Sequence, residues 1–237
     1  MKQGFVLIAI VLLTFAHASA AYLTGGIDTT YTTDSRNKNL VYMEVKDPDG
    51  KVVEVGKLLN GKKEGVFRHY NHKSTIQKIQ EFHEGIPDGV SLEFDESGAL
   101  LIEENYRNGL LEGSRMVYRF GGIKKSVEFF KDGKLEGLKT VYYENGYKQE
   151  EAHYKNGMRD GVSKWYNQNE QLIIDYFYRK GILDGPAKMY HNNTRIQQEG
   201  NYVNDVEEGE WKHYDENGKL VKAVFYKAGK VTKELTY

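Results

Sequence analysis

A carboxylate stands directly before a glycine seven times at intervals of 24 residues: Glu64, Asp88, Glu112, Glu136, Asp160, Asp184 and Glu208 precede Gly65, Gly89, Gly113, Gly137, Gly161, Gly185 and Gly209. Carboxylates in series suggest calcium, which needs several oxygens within about 2.6 Å of one ion. If each period contains two strands, equivalent carboxylates lie about 10 Å apart, at roughly 4.8 Å per strand, and neighbours cannot share an ion. The position before glycine fits instead a carboxylate that accepts a turn hydrogen bond. Histidine offers no more. His69 and His213 share a register but lie six units apart, and His83, His153 and His191 occupy different columns. None of these has a spacing expected of metal ligands, and no serine is marked as a nucleophile by a neighbouring base and orienting group. Cysteine is absent, which excludes a disulfide framework, a thiolate zinc site and a cysteine nucleophile. Asn192-Asn193-Thr194 spells a glycosylation acceptor but falls where a hairpin turn is expected, and reads as turn chemistry. The sequence therefore shows no catalytic, cofactor-binding or metal-binding constellation, and the expected function is non-enzymatic.

Charge excludes a further class. The 237 residues carry 33 basic and 34 acidic side chains, a balance without the basic excess expected of a nucleic-acid binder. The N-terminus is more specific. Lys2 precedes an apolar run from Phe5 to Phe15, followed by Ala18-Ser19-Ala20. This is the order of a secretory signal peptide with cleavage between Ala20 and Ala21, and the run is shorter than the roughly 20 residues needed to span a bilayer. The expected location is outside the cytoplasm: periplasmic, cell-surface or secreted.

The elements that must position these residues come from the 24-residue period, which fixes an architecture before any single strand is assigned. Five residues after each glycine stands an aromatic (Tyr70, Phe94, Tyr118, Tyr142, Tyr166, Tyr190, Tyr214), and twelve residues later another (Phe82, Tyr106, Phe130, Tyr154, Tyr178, Tyr202, Tyr226). Two further glycine columns, exemplified by Gly109 and Gly146, mark turns, several of them Asn-Gly pairs suited to tight hairpins. Each unit then reads as two short strands and two turns. The fold class expected is all-β: an elongated single-layer antiparallel sheet of tandem 24-residue β-hairpin repeats. A lone hairpin is marginal in water, so the two aromatic columns are expected to form continuous ladders, each ring packing on its equivalent in the next unit. The organisation expected is a signal peptide over 1–20, a flexible polar lead-in over 21–39 and a degenerate N-terminal capping half-repeat over 40–60. Seven repeats follow over 61–228, and a C-terminal cap over 229–237.

Segments such as Gly209-Glu210-Trp211-Lys212-His213-Tyr214-Asp215-Glu216-Asn217-Gly218-Lys219-Leu220 and Tyr154-Lys155-Asn156-Gly157-Met158-Arg159-Asp160-Gly161 resemble the MORN repeat in its bacterial variant form. The resemblance implies an interaction module. Many bacterial relatives carry an antitoxin label, so it also implies an alternative role as an antitoxin or immunity-type protein that neutralises a cognate toxin. The leading reading is an exported scaffold that binds a protein or cell-envelope partner. A membrane surface is a weaker candidate partner, because balanced charge predicts no basic face. Hot spots of interfaces are aromatic, and Trp165, Phe177, Trp211 and Phe225 each alternate with a ladder position, which makes them the candidate binding surface. On this reading the mature chain begins at Ala21. An intact-mass measurement on the native protein is expected to give that N-terminus, and a membrane-embedded form retaining Met1 would overturn it.

Overall fold

Alternating segments of eight or nine residues, cut by Asn-Gly and Asp-X-X-Gly turns, become the strands of one sheet. A computed structural model describes residues 27–237; the expected signal peptide and its cleavage site lie outside the described residues. Among the described residues, twenty strands run from Asp28–Thr33 to Lys230–Thr236, all pairing antiparallel with near neighbours in the chain, with one 3₁₀ turn at Phe120–Gly122. The architecture is a single open antiparallel sheet, a MORN-like hairpin array.

Two kinds of turn edge the sheet. At the tight turns both central residues are left-handed, as in Asn108 (φ 50°) with Gly109 (φ 80°) and Asn156 (φ 52°) with Gly157 (φ 82°), the geometry that matches the twist of the flanking strands. The carboxylate column secures these turns, although not those beside its own glycines. Glu112 accepts the Asp132 N–H at 3.0 Å, Glu136 accepts that of Asn156 at 2.8 Å, and Asp160 that of Lys180 at 3.1 Å. With Glu64 and Glu208, which accept from Glu84 and Ala228, five of the seven acids hold the turn of the following hairpin, twenty residues on. Glycine N–H groups add bonds between units, Gly133 to the Leu111 carbonyl and Gly157 to that of Leu135, both at 2.9 Å. At the opposite edge, side chains such as Asp95 and Asp215 each accept two N–H bonds from their own loop, the Asx chemistry that favours these residues in turns.

Strand register sorts the side chains onto two faces. On face I a central row runs across the sheet, its members alternately 11 and 13 residues apart: Ser91 lies opposite Glu104, Arg115 opposite Glu128, Ser163 opposite Tyr176, Trp211 opposite Val224. Most of the buried residues belong to this row, including Phe67, Ala152, Ala187 and Trp211. Bulk alternates with its absence. A Cβ on Gly56 would lie 2.3 Å from the Phe67 ring, and one on Gly200 2.3 Å from the Trp211 ring, so glycine in one strand makes room for the ring of the next.

The aromatic columns differ from the expected ladders in two respects. They occupy opposite faces: Tyr178 faces with Tyr176 and Ser163 on face I, whereas Tyr166 is an odd number of residues from Ser163 and bonds Glu151 on face II. Nor do equivalent rings stack. Aromatic pairs need centroids within about 7 Å, and two strands separate equivalents by about 10 Å. A side chain from the intervening strand fills each gap, as Leu111 does beside Tyr106 and Arg159 beside Tyr154. Ring contacts run instead between a column and the central row, Tyr202 with Trp211 at 5.1 Å and Trp211 with Tyr226 at 6.5 Å.

The ends of the array also depart from the sequence reading. Within the stretch read as a flexible lead-in, Asp28–Thr33 is a strand paired with Leu40–Lys46; its threonines and Tyr31 are strand formers, and backbone pairing needs no repeat motif. The stretch read as a half-repeat forms a full hairpin of Leu40–Lys46 and Val52–Leu59. Lys230–Thr236 closes the other end.

The close fit at Gly200 is testable. Its backbone is ordinary, so Gly200→Ala adds only the clash with Trp211, and a loss of about 1–3 kcal/mol is expected, in the range of overpacked cores. A urea midpoint unchanged from the parent protein would mean that the indole moves aside freely.

Candidate functional site

The four aromatic candidates do not form one surface. Trp211, expected on an exposed surface, is only 2% exposed, encased by Tyr202 and Tyr226, with its indole N–H donating to the Asn201 carbonyl at 3.2 Å. Alternation placed it in the central row, and Gly200 leaves the space that the indole fills. Trp165 is half-buried on the same face, edge-on to Tyr176 at 5.8 Å. The Arg159 guanidinium lies 5.0 Å from its ring centroid, and 5.9 and 5.4 Å from those of Tyr154 and Tyr178, while pairing with Glu150. Phe177 and Phe225 lie on face II, also half-buried, with Arg179 5.9 Å over the first and Lys233 5.5 Å over the second. Phe177 walls a shallow open cleft together with Asp160, Arg179, Ile182 and Asp184.

In mid-array the face I row becomes ionic, which the sequence reading missed. Arg115 bridges Glu104 at 3.0 Å and Glu128 at 3.1 Å, and Lys139 reaches Glu128 at 3.0 Å. The Tyr106 hydroxyl donates to the second Glu104 oxygen at 2.8 Å. Both glutamates are buried, and all four of their oxygens are engaged by a cation or a hydroxyl. Burial alone would raise the Glu128 carboxyl, but Lys139 and Arg115 outweigh it and hold the group below its ordinary value. Burial, with help from Glu104, pushes the Tyr106 phenol up to about 12. No carboxylate of the row is free to exchange protons with a substrate, so the row acts as polar packing between strands. The signal was present in the sequence: Glu104 and Glu128 are one period apart, as are Arg115 and Lys139. Finding it required the 11-and-13 register rather than the 24-residue columns.

Elsewhere the titratable groups are dispersed. His83 contacts Glu64 at 3.1 Å, and that hydrogen bond raises the imidazole; burial lowers His69 and His213. Among the described residues no three potential ligands gather in a way that could hold a metal ion.

An open array of antiparallel hairpins, each touching only its neighbours, is the architecture of a repeat protein, a class that offers extended surfaces. Three of its units match a known profile: the one described as "MORN repeat variant" matches residues 87–108, 135–156 and 207–228, each span running through a first strand, its open turn and a second strand. Repeats of this kind are generally binding modules for proteins or membranes. No curated protein matches the chain. Among solved structures, a chain of the Photorhabdus luminescens Tc holotoxin pore aligns at 11% identity and a TM-score of 0.25, over 87% of this chain and 13% of that one.

The ionic row predicts a pH effect. A carboxyl held below its ordinary value of 4.5 contributes stability that is present above that pH and lost as pH falls through the lowered value. Glu128→Gln is expected to cost about 1–3 kcal/mol near neutrality and to lose part of the acid dependence. Glu151, also lowered against burial by Lys148 and Tyr166, would account for some of the remainder. Urea unfolding of both proteins from neutral to acid pH measures this, and parallel curves would exclude the role given to Glu128.

Proposed function

We propose that this protein is exported and acts as a non-enzymatic scaffold that presents its repeated β-surface to a protein or cell-envelope partner. One observation carries this reading: the sheet is a single open layer, so residues of both faces stay accessible along its length, while the best-placed carboxylates are already committed to turns or ion pairs. Solenoid-like arrays of this kind offer extended binding surfaces. Export rests on the sequence of Lys2, Phe5–Phe15 and Ala18-Ser19-Ala20.

A scaffold spreads its contacts over several units. Removing whole units from the C-terminal end is therefore expected to weaken binding to a partner isolated from the cell envelope in steps, with the remaining units folded by circular dichroism. Neutralisation of one cognate toxin would give instead a single tight complex lost in one step. Turnover of a hydrolase substrate, abolished by substituting one carboxylate or histidine in a folded protein, would sink the scaffold reading.

A further inference from the structure

Each tight turn places two residues side by side on face II, one from the end of each strand. The pairs include Arg107 with Leu110, Lys131 with Lys134, Lys155 with Met158, and Arg179 with Ile182. From Leu59 and Lys62 to Lys227 and Lys230, none of these paired positions holds a carboxylate. These strand-end positions are thus a line of cations, one histidine and aliphatic groups, in which each turn contributes a pair about every 10 Å, with Glu84, Asp132 and Asp205 at the centres of three of the turns. We propose that this edge is a docking stripe for an acidic segment of a partner protein that carries aliphatic side chains among its carboxylates. The proposal rests on the scaffold reading and names the surface and the chemistry of its partner.

The stripe is open, and its central lysines carry no ion pair among the described residues. The side chains of Arg107 and Arg179 are 72% and 67% exposed, and Leu110 and Met158 are 50% and 46% exposed. Beside the stripe, most of the acidic column is bound to turn N–H groups; its contact with the stripe is close at His83, 3.1 Å from Glu64, and loose elsewhere, with Glu112 3.8 Å from Arg107 and Asp184 3.6 Å from Arg179. Exposed pairs of that kind are worth about 1 kcal/mol or less and yield readily to a competing anion. Among the described residues, Lys131, Lys134 and Lys155 form no ion pair within 4.0 Å.

The aliphatic members are held in place. Three of them lean over the turn of the next hairpin: a Cβ on Gly109 would meet Ile86 at 3.1 Å, one on Gly133 would meet Leu110 at 3.5 Å, and one on Gly229 would meet Val206 at 3.3 Å. The result is a fixed apolar strip divided by cations, continued on the same face by Phe177 and its cleft. A polyanion without apolar groups would engage the cations and leave the strip in water. An acidic segment with aliphatic side chains satisfies both halves, giving electrostatic steering and register from the charges and burial from the strip.

The test uses the whole mature protein and defined probes followed by fluorescence anisotropy: a labelled peptide of repeated Glu-Leu-Ser triplets, its Lys-Leu-Ser twin, polyglutamate, and vesicles of phosphatidylcholine with phosphatidylglycerol. Extended chain advances about 3.3 Å per residue, so one triplet matches one repeat. The Glu-Leu-Ser peptide is expected to bind in a salt-sensitive manner and in preference to its twin and to polyglutamate. The triple substitution K131E, K134E and K155E is expected to weaken it by roughly tenfold or more, and Met158→Ser with Ile182→Ser several-fold, with circular dichroism unchanged. The stripe is overturned if the peptide does not bind, if polyglutamate binds equally well, if the charge reversals have no effect, or if only the vesicles bind. None of these outcomes touches the scaffold reading, which depends on the stepwise truncation. Cleavage of the peptide, seen by mass spectrometry, would count against that reading instead.

Discussion

The distance between hydrogen-bonded strands controls everything else in this protein. At about 4.8 Å per strand, a two-strand unit repeats every 10 Å or so, beyond the reach of a ring, a carboxylate or a lysine seeking its own equivalent. Contacts must therefore form between different columns of the repeat. This is why Arg159 stands between Tyr154 and Tyr178, why Gly200 accompanies Trp211, and why Arg115 can join Glu104 to Glu128. It is also why the carboxylate column secures the turn of the following hairpin, tying each unit to the next through backbone as well as side chains.

A single layer has two faces and no second sheet to cover either, and here the apolar row changes face along the array. Across the middle strands face I carries Glu104, Arg115, Glu128 and Lys139, while face II carries Met116 and Val127. Further on the order reverses: face I holds Tyr176, Ala187, Trp211 and Val224, while face II alternates Glu151, Lys164, Asp175, Lys188, Glu199 and Lys212. Because each unit leans only on its neighbours, such a change is tolerated wherever adjacent strands agree with each other.

The same locality bears on binding. A net charge near zero suggests a surface without electrostatic character, yet the tight-turn edge of face II concentrates cations beside aliphatic groups while acids are drawn off to hold turns. The aromatic residues best suited to recognition divide between the faces, with Trp211 withdrawn into the packing and Phe177 left beside the stripe.

By itself the sequence determined the period, the number of strands per unit, the hairpin turns and the single-sheet class, because glycine, Asn-Gly and alternating side chains act through local backbone geometry that recurs every 24 residues. It also located the carboxylate column, whose partner turn lies only twenty residues ahead. Only the tertiary structure decided which residues face each other. Cross-strand register depends on the bulge at each acidic-glycine step, as where the pairing shifts between Ala152 and Tyr154, and a shift of one residue moves a side chain to the other face. Hence the separation of the two aromatic columns, the burial of Trp211 and the ionic row could not be read from spacing alone. The terminal strands escaped for a related reason: Asp28–Thr33 pairs through its backbone, which satisfies an edge without carrying any motif.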